Sequence, residues 1–402
     1  MPLNNTKIIV VGGGTGGTAA ALLLARAGAR VTLLERVAEP RAVGAGIAIA
    51  ENGLAVLESL GLGPALEVGR PVDGARIVDA SGRTLIAVGD PQPRVAMLRR
   101  STLQGILLDA LASESGIERR FGTEVMRATA DGKVIVREGA SEVTLAADLV
   151  IGADGVHSRV REGGAFGARV RRSGLSYVRM LVDDGLATGT EAWTPAGVFG
   201  AFAVDEGTYA FASCGLPACR AALASRDLDA FRTAWAHAYA PAGRVLGAVR
   251  RFDELLVNEV IQVRCARWFD GRLVLLGDAA HAMAPNLGQG ANSALVDAAA
   301  LLDELCRART IEGALGAYDR RRRPAVRRVA VASARLGRLA EVTHPVPRTL
   351  RDRILVPVLR AFASPRTTAM MLQEPTARLL DIGAHDCPPF SGRSETRTVR
   401  RE

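Results

Sequence analysis

Three short segments of this chain carry residue types and spacings suited to holding a phosphorylated cofactor. The first is Gly12-x-Gly14-x-x-Gly17. Gly12 permits a tight turn, Gly14 lets backbone approach a pyrophosphate, and Gly17 lets a helix pack closely on a strand. Thr15 opens the stretch that follows, so free N–H groups at a helix start would face the phosphates. Glu35, with Arg36 beside it, stands near the spacing at which a carboxylate binds a ribose 2′-hydroxyl. This motif does not by itself distinguish FAD from NAD.

The second segment, Asp148–Arg161, reads DLVIGADGVHSRVR, an apolar strand that breaks at Asp154-Gly155 before a helix. The third, Gly271–Ala298, reads GRLVLLGDAAHAMAPNLGQGANSALVDA: a strand ending in Gly277-Asp278, a loop, then Gly288-x-Gly290 opening a helix. At the carboxyl end of a parallel strand, Asp278 can accept hydrogen bonds from a polyol. The Gly288–Gly290 turn, followed by Ala291, can bring backbone N–H groups against a flat, electron-rich ring, and Pro285 can stiffen the loop over it. His281, inside this loop, reads first as a packing residue and second as a participant in the reaction. His157 reads as structural. Neither a Ser-His-Asp arrangement nor a paired-histidine site is apparent, so no metal and no covalent nucleophile are expected.

Elements of two kinds must position these residues. Lys7–Val11 reads as a buried strand, Thr18–Ala27 as a helix closed by Gly28, and Arg30–Leu34 as a second strand reaching Glu35. That is one βαβ unit in about thirty residues, as a parallel α/β sheet requires. Leu149–Ala153 and Leu273–Leu276 are further strands of this type. Thr102–Ala112, Ser293–Leu305 and Ala325–Leu339 read as helices. Gly74–Val88 and Leu175–Cys214 instead alternate and are punctuated by Gly, Asp and Pro. Leu175–Val182, Val198–Val204 and Tyr209–Cys214 are the expected strands of a mostly antiparallel sheet, and Asp183-Asp184 reads as a turn.

Composition narrows the function classes. At 402 residues, 48% hydrophobic and 23% charged, the chain is globular and long enough for two cores. The net charge is +9, but the basic residues are scattered, and all except Lys7 and Lys133 are arginines. The densest run, Arg320–Arg323, reads as a solvated helix face, and a nucleic-acid partner is not expected. Five cysteines, with no C-x-x-C pair, argue against a disulfide framework or a zinc site and for a cytoplasmic protein. No run reaches the roughly 20 apolar residues of a transmembrane segment.

With the three segments in order at suitable separations, the sequence resembles the single-component FAD-dependent aromatic hydroxylases typified by para-hydroxybenzoate hydroxylase and salicylate hydroxylase, over roughly Ile8 to Pro357. The resemblance implies non-covalent FAD, transient NADH or NADPH, and O2. Through a C4a-hydroperoxyflavin, such an enzyme hydroxylates or epoxidises a small aromatic molecule. It also implies that Gly12, Gly14, Gly17 and Glu35 hold the ADP half, Asp278 the ribitol, and Gly288 to Ala291 the isoalloxazine edge. Asp154-Gly155 matches the motif linked to FAD and the nicotinamide donor. Arg100 matches an FAD-contacting arginine, with Arg99 a one-residue alternative. Arg41 and Gly44-x-Gly46 match the segment beside the flavin, where Gly46 and Ile47 would line its edge. The ending His344–Ile354 resembles the subgroup with urate hydroxylases and zeaxanthin epoxidase. The alternatives are a flavoenzyme of the same fold that inserts no oxygen, such as a saturase or cyclase, and a flavin-binding protein without turnover.

The expected fold class is α/β: an interrupted Rossmann-like FAD-binding domain (1–73, 95–168 and 264–340) and a mostly antiparallel β-sheet substrate domain (74–94 and 169–263). C-terminal helices (341–390) and a disordered tail (391–402) follow. Period two puts Leu175, Tyr177, Arg179 and Leu181 on one face of one strand, and Tyr209, Phe211 and Ser213 on one face of another. Tyr177, Arg179, Phe202, Tyr209 and Phe211 are therefore the substrate-binding candidates, with Arg179, Tyr209, His281 and Pro285 the catalytic ones. Gly197–Val204 carries no charge, and an unpaired carboxylate there would cost several kcal/mol. A neutral, largely apolar aromatic or polycyclic substrate is expected, with Arg179 turned to solvent or paired with an acid.

Overall fold

The computed structural model describes residues 3–40, 45–74, 76–87, 93–139, 141–361 and 373–384. Its first layer is a six-stranded sheet in the order Phe269–Asp270, Leu273–Leu275, Leu149–Gly152, Lys7–Val11, Arg30–Glu35, Ile117–Phe121. All neighbours are parallel except the antiparallel edge pair Phe269–Asp270 and Leu273–Leu275. Ile8 pairs with Leu149 and Val150 with Leu273, so three segments far apart in sequence lie side by side. Ile8 to Val11 are each at most 4% exposed, as expected for a parallel strand covered on both faces. Helices Thr15–Arg26 and Gly290–Arg307 cross one another closely: a Cβ on Gly16 would stand 2.9 Å from the Cβ of Ala294.

The second layer is a seven-stranded sheet in the order Leu256–Arg264, Arg169–Val182, Thr208–Ser213, Gly197–Ala203, Thr190–Thr194, Arg76–Asp79, Thr84–Ala87. Only the Thr190–Thr194 and Arg76–Asp79 pair is parallel. One face, including Val178, Met180, Phe199, Ala201 and Ala212, packs under helices Pro217–Ala224, Leu228–Ala238 and Ala240–Gly247 through Phe231, Trp235 and Tyr239. Those helices, and the small sheet Glu124–Ala128, Lys133–Glu138, Ser141–Ala146, are not anticipated by the sequence reading. Strand Gly46–Ala50, paired with Val95–Arg99, bridges the two layers.

Helix Ile311–Ala340 runs straight through Pro324, which forgoes one hydrogen bond to the Arg320 carbonyl. The arginine run before it is not a solvated face. Arg322 is fully buried against Asp297, and Arg321 binds Asp303 (2.6 Å), Glu304 (2.8 Å) and Glu374 (2.9 Å). Cys214, Cys219 and Cys265 are free thiols. Among the described residues no helix is long and apolar enough to cross a membrane.

Candidate cofactor and substrate site

The first turn is shaped by close backbone packing. Gly12 has φ +104°, and a Cβ there would lie 2.4 Å from the Ala153 carbonyl oxygen. On Gly17 it would lie 1.9 Å from the Gly12 carbonyl oxygen, whereas on Gly14 it would meet nothing within 4 Å. Two glycines are thus demanded by the protein itself, and the third faces open space where a ligand can approach. Helix Thr15–Arg26 starts there with no side-chain cap and no acid in its first turn, leaving N–H groups and the positive end of its dipole unpaired. Glu35 accepts from the Gly13 N–H (2.7 Å) and the Val37 N–H (2.9 Å), and each oxygen keeps a lone pair for a hydroxyl. Arg36 is exposed beside it.

Gln104, missed by the sequence reading, donates to the Gly13 carbonyl (2.9 Å) and ties helix Arg100–Ser113 to the turn. Arg99 pairs with Asp205 (3.2 Å) and Glu206 (2.8 Å), whereas Arg100 is exposed and pairs with no carboxylate among the described residues. Arg41 and Gly44 lie outside the described residues.

The loop after Leu273–Leu275 faces the same region. Asp278 is exposed and its carboxylate makes no hydrogen bond among the described residues; a Cβ on Gly290 would come within 4.0 Å of its Oδ1. Gly288 has φ +63°, a conformation that favours glycine. Pro285 is exposed and opens a single 3-10 turn, and helix Gly290–Arg307 begins uncapped at Gly290-Ala291. Asn292, also missed, donates to the Ala48 (3.0 Å) and Gly288 (3.0 Å) carbonyls and accepts from the Ala50 N–H (2.9 Å). It thereby fixes Gly46–Ala50, including half-buried Ile47, beside the turn.

Two further site candidates make contacts within the protein. Asp154 accepts from the Arg159 (2.7 Å) and Val160 (3.1 Å) N–H groups, capping helix Arg159–Glu162, and its other oxygen is buried without a partner. Burial raises its carboxyl above the ordinary aspartate value despite these donors. His281 is 5% exposed, packs on Trp268 at 4.9 Å, and its Nε2 meets Asp297 at 2.5 Å. Asp297 also accepts from the Gly277 N–H (3.0 Å) and Arg322 (2.8 Å). Burial opposes its ionisation, but Arg322 and the hydrogen bonds from its neighbours outweigh burial and hold its carboxyl low. His281 thus packs inside the loop against Trp268 and Asp297.

Opposite this loop lies the second face of the seven-stranded sheet. Tyr177 pairs with Ser213, Arg179 with Phe211, and Leu181 with Tyr209, so the two expected faces form one surface. Phe211 lies opposite Gly200 and Gly200 opposite Glu191, which makes a row Arg179, Phe211, Gly200, Glu191 across four strands. A Cβ on Gly200 would meet the Phe211 ring at 2.4 Å, so its absence lets Phe211 stack with Phe202 at 6.3 Å. The ring of Tyr209 lies on Gly46, where a Cβ would stand 2.3 Å from Cγ. Tyr177 accepts from Asn286 of the loop (2.7 Å) and clusters with Ala284. The sheet face, the bridging strand and the Gly288–Gly290 turn thus meet.

Arg179 departs from expectation: it is half-buried, donates to neutral Asn258 (2.5 Å), and pairs with no acid among the described residues. Burial lowers its pKa, with Tyr209 and Arg100 nearby. Glu191 accepts from the Trp193 indole N–H (2.7 Å), and burial pushes its carboxyl up to about 7. Burial also raises Glu341 at the end of the long helix.

The open side of Gly14, two uncapped helix starts, and Asp278 and Arg100, which have no charged partner among the described residues, fit a dinucleotide whose phosphates, polyol and ring need those partners. Comparison with known proteins agrees. The FAD binding domain family matches residues 5–333. A 2-heptyl-3-hydroxy-4(1H)-quinolone synthase of Mycobacteroides abscessus is 31% identical over 364 residues, covering 86% of this chain and 92% of that protein. A kynurenine 3-monooxygenase of Salinispora arenicola is 28% identical, covering 92% and 85%. Klebsiella pneumoniae HpxO, crystallised with FAD and uric acid, superposes with a TM-score of 0.76 at 25% identity over 92% of this chain and 97% of that one. The chain belongs to the FAD-binding family of FAD-dependent aromatic-hydroxylase-type monooxygenases.

Proposed function

We propose that the protein uses NADH or NADPH and O2 to hydroxylate or epoxidise a largely apolar aromatic or polycyclic molecule. The carrying observation is the contact of Tyr209 with Gly46, which sets the aromatic face of the seven-stranded sheet against the strand and turn that hold the flavin edge. FAD, when bound, supplies the activation of oxygen. The chain's own residues do the rest. Gly14 and the Thr15 helix start bind pyrophosphate, Glu35 the ribose, Asp278 the ribitol, and Gly288 to Ala291 the ring edge. Phe202, Tyr209 and Phe211 exclude water and hold the substrate ring. Arg179, paired with no acid among the described residues, donates to an oxygen on that ring system, as a quinolone carbonyl or phenolic oxygen would allow. We assign 1–73, 95–168 and 264–340 to the FAD-binding domain, and 74–94 and 169–263 to the substrate domain.

The relatives that make 3-hydroxyquinolones supply the first compound to try. Purified holoenzyme is given 2-heptyl-4(1H)-quinolone and then other neutral bicyclic aromatics, with NADH or NADPH, in labelled O2. The expected result is stimulated NAD(P)H oxidation with one labelled oxygen atom in the product. Substrate conversion without label in the product would move the assignment to a flavoenzyme that inserts no oxygen.

A further inference from the structure

The segment Gln373–Glu374 lies far in sequence from every cofactor motif, yet it is built into the underside of the flavin turn. Gln289 stands between Gly288 and Gly290 and is 3% exposed. Its Oε1 accepts from the Gln373 amide nitrogen (3.2 Å), which also donates to Ser293 Oγ (3.0 Å). The Gln373 Oε1 accepts from Arg322 Nη2 (2.8 Å). Arginine has only donors, so this contact fixes which end of the Gln373 amide is oxygen and turns its nitrogen toward Gln289.

Arg322 in turn holds Asp297, and Asp297 holds the Gly277 N–H just before Asp278. Both ends of the loop from Gly277 to Gly290 are therefore referred to one amide, one end through Gln289 and the other through Arg322 and Asp297. The segment is held in place by Asn52, whose Oδ1 accepts from the Gln373 N–H (2.6 Å) and whose Nδ2 donates to the Glu374 carbonyl (2.9 Å). The Glu374 carboxylate accepts twice from Arg321 (2.9 and 3.1 Å).

We infer that Gln373 is a positioning residue for the flavin: acting through Gln289, it sets the Gly288–Gly290 turn against which the ring edge binds. The inference needs FAD binding but not the proposed substrate or oxygen insertion, so it survives failure of either.

The test measures the FAD dissociation constant and the visible flavin spectrum of full-length Gln373→Ala, Gln289→Ala and the double variant. Both single changes remove the shared Gln289–Gln373 hydrogen bond, worth about three- to tenfold in FAD affinity, and Gln373→Ala also gives up its contacts with Ser293 and Arg322. The expected result is such a loss in each single variant, a shifted flavin spectrum, and a double variant no weaker than the weaker single one. A purely structural role predicts independent losses that multiply, and that outcome overturns the proposal, as does an unchanged affinity and spectrum in Gln373→Ala. A wild-type measurement covers variants that do not fold: FAD should slow amide hydrogen exchange at 373–374 together with 288–292. Protection of 288–292 without 373–374 would also overturn it.

Discussion

Replacing Gly46 by alanine tests the contact on which the proposed chamber rests. The new Cβ would stand 2.3, 2.5 and 2.6 Å from Cγ, Cδ1 and Cβ of Tyr209. Carbon atoms settle at about 3.5–4.0 Å, so the ring must retreat by roughly 1 Å or more. Phe211 stands 5.8 Å away, centroid to centroid, and limits that retreat. Forced overpacking of this kind costs about 1–3 kcal/mol. Gly46 does not have positive φ, so alanine is compatible with the backbone there and gains about 0.4–1 kcal/mol by restricting the unfolded chain. The net loss should be about 0–2.6 kcal/mol in urea unfolding. Removing the ring as well, in Gly46→Ala/Tyr209→Ala, should relieve the clash, leaving the double variant at least ~1 kcal/mol more stable than the sum of the singles. Strict additivity would refute the claim that Tyr209 closes on Gly46.

Three further outcomes follow from the charged groups. Asp278→Ala removes an acceptor from the polyol site, worth about 1.5–3 kcal/mol, so FAD affinity should fall by one to two decades in a fluorescence titration; wild-type affinity would contradict the assignment. Arg322→Met leaves Asp297 buried without its guanidinium partner and should cost about 3–5 kcal/mol in urea unfolding, largely recovered by adding Asp297→Asn; a single-variant loss under ~1 kcal/mol would mean that the pair is not buried as described. Glu191 has its folded value raised by burial from 4.5 to about 7, so it favours the protonated folded state. Its contribution is complete below about pH 4.5 and is lost as pH rises through 7, up to ~3 kcal/mol. Urea unfolding at pH 5.5 and 8 should show that loss in wild type and a flatter profile in Glu191→Gln; equal pH dependence in both would remove Glu191 as the cause.

What the sequence disclosed was local. Gly12, Gly14 and Gly17 are recognisable because each answers a constraint within one turn, and period two along single strands identified Tyr177, Arg179, Tyr209 and Phe211 as facing residues. Their union into one surface depends on the register between Arg169–Val182 and Thr208–Ser213, which no single strand encodes. The arginine run misled because four consecutive residues on a helix point in four directions, about 100° apart. A usable signal was present: Leu315, Tyr318, Arg322, Val326 and Val329 fall on one buried stripe of helix Ile311–Ala340, so Arg322 had to be internal. An internal arginine needs an acid, and Asp297 is one of two aspartates buried on Gly290–Arg307. Joining those two irregularities would have located the ion pair that anchors Gly277, and with it the support beneath the flavin loop. Gln373 offered no such clue, because a polar residue in an irregular segment looks the same in sequence whether it meets water or Arg322.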